Sequence, residues 1–149
     1  MAGYGTVEIG GKVFIKRPQY FPAQQTIASN NQIITGASVV LPGVADFLLE
    51  GLSRVVTVSG APVTNRPFRF RLGNSDGAVW YMSGGNGGSS DRIVDSLIFG
   101  NGQFPFMLTP GLAYSRTGAI NYEVEDISGT NGQTIYFNFM GSYLIPTSA

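Results

Sequence analysis

Residues 118–140 read Gly118-Ala119-Ile120-Asn121-Tyr122-Glu123-Val124-Glu125-Asp126, then Ile127-Ser128-Gly129-Thr130-Asn131-Gly132-Gln133, then Thr134-Ile135-Tyr136-Phe137-Asn138-Phe139-Met140. On an extended chain Ile120, Tyr122 and Val124 fall on one side and Asn121, Glu123 and Glu125 on the other, the period-2 pattern of a half-buried strand. Ile135, Phe137 and Phe139 repeat it after a connection containing Asn131-Gly132. The pattern predicts a β-hairpin at the centre of a sheet, with Phe137 in the core and Glu123 on the solvent side.

A second hairpin is predicted over 66–82. Phe68, Phe70 and Leu72 point inward, Arg69 and Arg71 outward, and Gly73-Asn74-Ser75-Asp76-Gly77 turns the chain into Ala78-Val79-Trp80-Tyr81-Met82. Between residues 32 and 59, Phe47, Leu48 and Leu52 would also fit one helical turn. β-Branched residues dominate there, however, and Gly36, Pro42, Gly43, Gly51 and Gly60 interrupt at short intervals, which favours strands. Asp91 to Phe99 fits a strand or a short helix, and the prolines of Phe104 to Pro110 confine that run to an edge or an irregular path.

Residues 1–31 differ from the rest. Tyr4 to Ile9 and Lys12 to Lys16 alternate around Gly10-Gly11, a two-residue hairpin signal. Arg17 to Gln25 then carries Pro18 and Pro22 and reads as extended or irregular. This division gives an N-terminal arm over 1–31 and a single β-sandwich domain over 32–149. The arm packs either on its own domain or on a neighbour; in the second case Lys16, Arg17, Tyr20 and Phe21 are the candidate partner-binding residues.

The composition narrows the function. The chain has 149 residues with 21 glycines and 8 prolines, and its charged residues make up 12%, about half the usual share of roughly 25%. A surface so poor in charge suits either a protein that spends its life packed against partners or an ordinary turn-rich β-sandwich. Nine basic and nine acidic residues cancel, which argues against a grip on nucleic acid or an anionic membrane. The first 71 residues hold seven basic and three acidic groups and the remainder two and six. That asymmetry points to head-to-tail association of copies unless the halves intermix within one sandwich. With neither cysteine nor histidine, disulfides, thiolate or imidazole metal sites and His-based catalysis are excluded. The expectation is a protein without enzymatic activity, cofactor or small-molecule substrate. The start lacks a basic and apolar leader pattern and no apolar run approaches membrane-spanning length, so synthesis in a cytoplasm is expected.

Four groups of residues invite a chemical reading. Glu123 and Glu125, with Asp126 next to them, share one strand face and therefore do not straddle a substrate as a glycosidase pair does. Asp76, Asp91 and Asp95 offer oxygen ligands without ion-loop spacing. Ser83 to Ser90 is glycine-rich but lacks the lysine of a phosphate-binding loop and the spacing of a dinucleotide fingerprint. Trp80, Tyr81, Tyr114, Tyr122, Tyr136 and Tyr143 would make a sugar-stacking platform if they shared an exposed face.

Between Phe47 and Gly141 the order of features resembles the small β-sandwich accessory proteins of tailed-bacteriophage virions. The resemblance lies in Asp46-Phe47-Leu48-Leu49, Phe68-x-Phe70-x-Leu72, Val79-Trp80, Leu97-Ile98-Phe99-Gly100, the run from Pro105 to Pro110, and Ile120-x-Tyr122-x-Val124 leading to Ile135-x-Phe137-x-Phe139-x-Gly141. It implies an all-β antiparallel sandwich of jelly-roll or Greek-key type that decorates or cements the capsid or sits at the head–tail junction. The implied partners are major capsid or head–tail proteins and further copies of the chain, and the implied location is the virion. The alternative is a carbohydrate-binding or adhesin-like β-sandwich module.

Overall fold

The computed structural model describes residues 5–73, 80–82, 92–100 and 105–147. The glycine-rich stretch at 83–90, Asp76, Asp91 and the turn at 101–102 lie outside them. Gly10 and Gly11 both take left-handed backbone angles, with φ of 60° and 79°. They fold β1 (Thr6–Ile9) onto β2 (Lys12–Ile27) with Ile9 opposite Lys12, the two-residue turn that the glycine pair predicts.

β2 does not leave the domain. From Phe14 to Ile27 it is paired antiparallel with β11 (Gln133–Pro146) in unbroken register. The stretch read as an arm is thus, over residues 12–27, a strand inside a sheet. Its prolines are tolerated for a definable reason. The Lys16 N–H bonds to the Gly5 carbonyl on the β1 side, so strand alternation turns positions 18 and 22 toward that same side, past the end of β1. A missing N–H there removes no bond to β11.

The remaining strands are β3 (Ile33–Val40), β4 (Asp46–Val58), β5 (Ala61–Val63), β6 (Phe68–Gly73), β7 (Trp80–Met82), β8 (Ile93–Val94), β9 (Phe106–Tyr114) and β10 (Ala119–Asp126). They form two antiparallel sheets that pack together as a sandwich. The first runs β1-β2-β11-β4, with β5 and β9 sharing the far edge of β4; the second runs β3-β10-β6, with β7 and β8 sharing the far edge of β6. Among the described residues there is no α-helix, only a 3-10 turn at Asp95–Leu97. Over 92–99 the ambiguity therefore resolves into β8 followed by that turn, and the segment around Phe47 is strand.

The predicted hairpin over 118–140 has the right faces and the wrong partners. β10 lies between β3 and β6, whereas β11 lies between β2 and β4. The connection at 127–132 crosses from one sheet to the other, and the two apolar stripes meet through the core instead of along a ladder. The Tyr122 ring stands 5.4 Å from that of Phe137 and 5.6 Å from that of Phe139. By contrast β6 and β7 are paired antiparallel, with Leu72 opposite Met82; the turn expected between them, at 74–77, lies outside the described residues.

Phe47, Leu49, Leu52, Val56, Ile135, Phe137 and Phe139 from the first sheet meet Phe68, Phe70, Leu72, Ile120, Tyr122 and Val124 from the second. Phe68 is edge-on to Phe137 at 5.7 Å and Phe70 edge-on to Phe99 at 4.8 Å, contacts worth about 0.5–1.5 kcal/mol each beyond burial. The Tyr122 hydroxyl accepts a 2.8 Å bond from the Gln25 side-chain amide. Burial pushes the Tyr122 hydroxyl above the usual tyrosine range. At the β4–β11 bulge, a Cβ on Gly141 would collide with the Leu48 carbonyl and stand 2.8 Å from the Phe47 ring, so glycine is what lets the two strands close there.

Deleting residues 1–31 is expected to abolish cooperative melting, because it strips β11 of one whole hydrogen-bonded edge and removes Phe21, Ala23, Gln25 and Ile27 from the inner face. Circular dichroism of the truncated chain during heating checks this. A sharp transition would mean that β2 is dispensable.

Candidate interaction face

Of the four residues expected to bind a partner, three are engaged inside the domain. Lys16 donates to Glu50 at 2.5 Å with both side chains about three-quarters buried. The Arg17 guanidinium lies 5.1 Å over the Tyr143 ring. Phe21 packs edge-on against Phe47 at 4.9 Å. Tyr20, 57% exposed, projects from the outer face of the first sheet, at whose rim Lys16 lies, and Arg17 is exposed as well.

Register builds a continuous patch around it. Tyr20 is opposite Met140, Met140 opposite Gly51, and Gly51 opposite Met107. A Cβ at position 51 would stand 2.9 Å from Met140 Cε and 3.2 Å from Met107 Sδ, so the two thioethers close over the bare glycine. The next exposed row sets Gln24 opposite Tyr136 and Tyr136 opposite Val55. Met107 is 56% and Tyr136 44% exposed. The positions between them, Pro22, Asn138 and Ser53, are uncharged. The patch is therefore uncharged and partly apolar, bounded by the Lys16–Glu50 pair, to which Ser142 adds a 3.0 Å bond. Sequence reasoning singles out Tyr20 and misses its companions. Met140 and Val55 carry no signal until strand partners are known, since period 2 assigns a face without saying what lies beside it.

The outer face of the second sheet is different. Arg69 and Arg71, expected to point outward, are opposite Glu125 and Glu123. Glu123 Oε1 accepts from Arg71 Nε at 2.8 Å and from Arg92 Nη2 at 2.7 Å, while Arg69 and Arg92 approach Glu125 at 3.7 and 3.9 Å. Glu123 is buried, which overturns its assignment to solvent. The basic excess of the first half and the acidic excess of the second are partly neutralised in these pairs, within one chain.

Asp95 serves as a tie. Its carboxylate takes Arg54 Nε at 2.7 Å and the Phe68 N–H at 3.3 Å, joining β4 of one sheet to β6 of the other. A groove of about 520 Å³ opens beside it, lined by Arg54, Val56, Pro62, Val63, Arg66 and Asp95 among others. Among the described residues, no three histidine, cysteine, aspartate or glutamate side chains come together as a metal-binding group. Of the expected aromatic platform, Tyr114, Tyr122 and Tyr143 belong to the core and Tyr136 is exposed; the side chains of Trp80 and Tyr81 lie outside the described residues.

Asp126 closes one end of the sandwich. It accepts from the Asn31 N–H at 2.9 Å, the Ser128 N–H at 3.0 Å and the Gln133 amide at 3.0 Å. Burial pushes its carboxyl upward, but the hydrogen bonds from Ser128, Asn31 and Gln133 outweigh this, and it titrates below the ordinary 3.8. No protein-family model, curated protein or solved structure matches the chain.

Two outcomes follow from these charges. Glu123→Gln is expected to destabilise the fold by about 3 kcal/mol, because Arg92 and Arg71 lose a buried carboxylate; denaturant titration measures it, and a change under about 0.5 kcal/mol, the range of surface substitutions, would return Glu123 to solvent. A carboxyl with a lowered folded value stabilises above its unfolded value and loses that contribution as pH falls through the folded one. The acid limb of stability below about pH 4 should therefore shrink in Asp126→Asn relative to the parent, as melting curves taken between about pH 7 and pH 2 would reveal.

Proposed function

We propose that the protein is a structural component of a tailed-phage virion, made in the host cytoplasm, that decorates or cements the capsid by contacts with major capsid or head–tail proteins. Copies of the chain associate with one another in this reading. The observation that carries it is the outer face of the first sheet, where Tyr20, Met140, Met107, Tyr136 and Val55 gather without a charge between them. Aromatic and methionine side chains are the types enriched where proteins meet, and charges are depleted there. The strand order supports the reading as well. β2, β11, β4 and β9 face β3, β10, β6 and β7, and the chain alternates between sheets at β2–β3–β4 and again at β9–β10–β11. That wrapping fits a jelly roll, an architecture frequent in viral capsid domains. A carbohydrate-binding module ranks behind it, since three of the six candidate stacking residues are core.

The test is co-sedimentation with shells assembled from the major capsid protein of the same genome. Tyr20→Lys combined with Met107→Lys is expected to abolish binding while leaving the melting temperature within a few degrees, as exposed substitutions do. Unaltered binding by a folded double variant would remove this face from the proposal. Specific retention of the parent on a glycan array, lost in Tyr20→Ala, would instead favour the carbohydrate module.

A further inference from the structure

Among the described residues, strand edges in this fold are blunted, with one exception. β2 carries Pro18 and Pro22 along its open side, β5 carries Pro62, β9 carries Pro110, and β1 is four residues long with Glu8. β7 and β8 have three and two residues. Proline, charge and brevity are the usual devices against unwanted edge pairing. β3 has none of these three, and the one irregularity it carries is a bulge at Gly36. It is eight residues of Ile-Ile-Thr-Gly-Ala-Ser-Val-Val, it ends its sheet, and no described strand pairs with its outer edge.

The backbone groups on that edge can be identified. The Leu41 N–H bonds to Gly118 and the Gln32 carbonyl accepts from Asp126, which directs positions 41 and 32 toward β10. Alternation from these two anchors turns Val40 and Ser38, and Ile33 and Thr35, outward. The two sets are out of phase because the register shifts between Tyr122 and Val124, where Gly36 adopts a φ of 73° as a bulge residue. An ordinary straight strand meets only part of such an edge. A second copy of the same strand, running antiparallel about a two-fold axis at the Gly36–Ala37 bond, meets all of it. Thr35 then faces Ser38 of the other copy and Ile33 faces Val40, so each outward group exchanges hydrogen bonds with another outward group. The same register sets Ile33, 48% exposed, against Val40, 73% exposed. Both lie on the outer face, since Ile34, Ala37 and Val39 pack inward.

We infer that β3 is a self-pairing edge through which two copies join their second sheets into one continuous sheet. This specifies the self-association included in the function proposed above and rests on that part of it alone; the outer face of the first sheet stays open in the pair. The symmetry is the reason for choosing a second copy over a foreign strand, because a two-fold axis reproduces the bulge opposite itself.

Sedimentation velocity from about 10 μM to about 1 mM spans the affinities of a contact this small. The parent is expected to pass from monomer to dimer, and the amides of Ile33, Thr35, Ser38 and Val40 to gain protection from hydrogen exchange as concentration rises. Val40→Lys should raise the dissociation constant by at least about tenfold, by placing a charge in the paired edge. Ser38→Pro should do the same by removing an outward N–H while sparing the bonds to β10. If Ser38→Pro does not fold, Val40→Lys and the exchange data decide. A dimer that survives Val40→Lys, with concentration-dependent protection elsewhere, overturns the β3 interface and leaves self-association standing. A chain that stays monomeric throughout overturns both.

Discussion

β11 needs a partner on each edge. It is fourteen residues long, its inner side is Ile135, Phe137, Phe139 and Tyr143, and its backbone groups are spent on β2 along one side and β4 along the other. A long strand buried in this way loses a hydrogen bond for each residue by which a neighbour slips, and a one-residue slip would also turn its aromatic rings out to water. The ladder to β4 is nonetheless interrupted by a bulge at Gly141 and Glu50. Glu50 is skipped in the ladders to both β11 and β9, so the irregularity is shared by three strands, and its displaced carboxylate finds Lys16 and Ser142.

Around that centre the two sheets handle polarity in opposite ways. The second sheet carries arginines and glutamates on its outer face but pairs them between β6 and β10 and with Arg92, just before β8. The first leaves its middle outer face uncharged. With net charge zero and most charged groups satisfied internally, little field extends beyond the molecule, so contact rather than long-range steering would govern how it meets a partner. Asp95 and Asp126 act instead as clasps, since each gathers hydrogen bonds from segments that the sandwich brings together only when closed.

Much of the fold is legible in the sequence, because alternation at Phe68-Phe70-Leu72, Ile120-Tyr122-Val124 and Ile135-Phe137-Phe139 reports burial directly. What alternation cannot report is the neighbour. Asn131-Gly132 looks the same whether it closes a ladder or carries the chain between sheets; the six residues from 127 to 132 allow the crossing, and the apolar stripes on both sides require it. Pro18 and Pro22 suggest an arm, yet a proline is compatible with a strand when its missing N–H points to an open edge, and that direction depends on a distant partner. Glu123 escapes a local reading for the same reason, because its burial comes from Arg71 and Arg92, 52 and 31 residues away. Within the candidate face, Tyr20 stands out by its local oddity, while Met107, Met140 and Val55 come together only through the registers of four strands.

The pairing of β2 with β11 also sets a schedule for the newborn chain. Gln133 follows its ladder partner Ile27 by 106 residues, so while translation proceeds from one to the other β2 has no strand to occupy its main edge. The nascent chain must carry that stretch open, and Pro18 and Pro22 protect only the opposite side. The β2–β11 ladder can therefore close only late, which favours folding as a unit after the last of these strands has emerged.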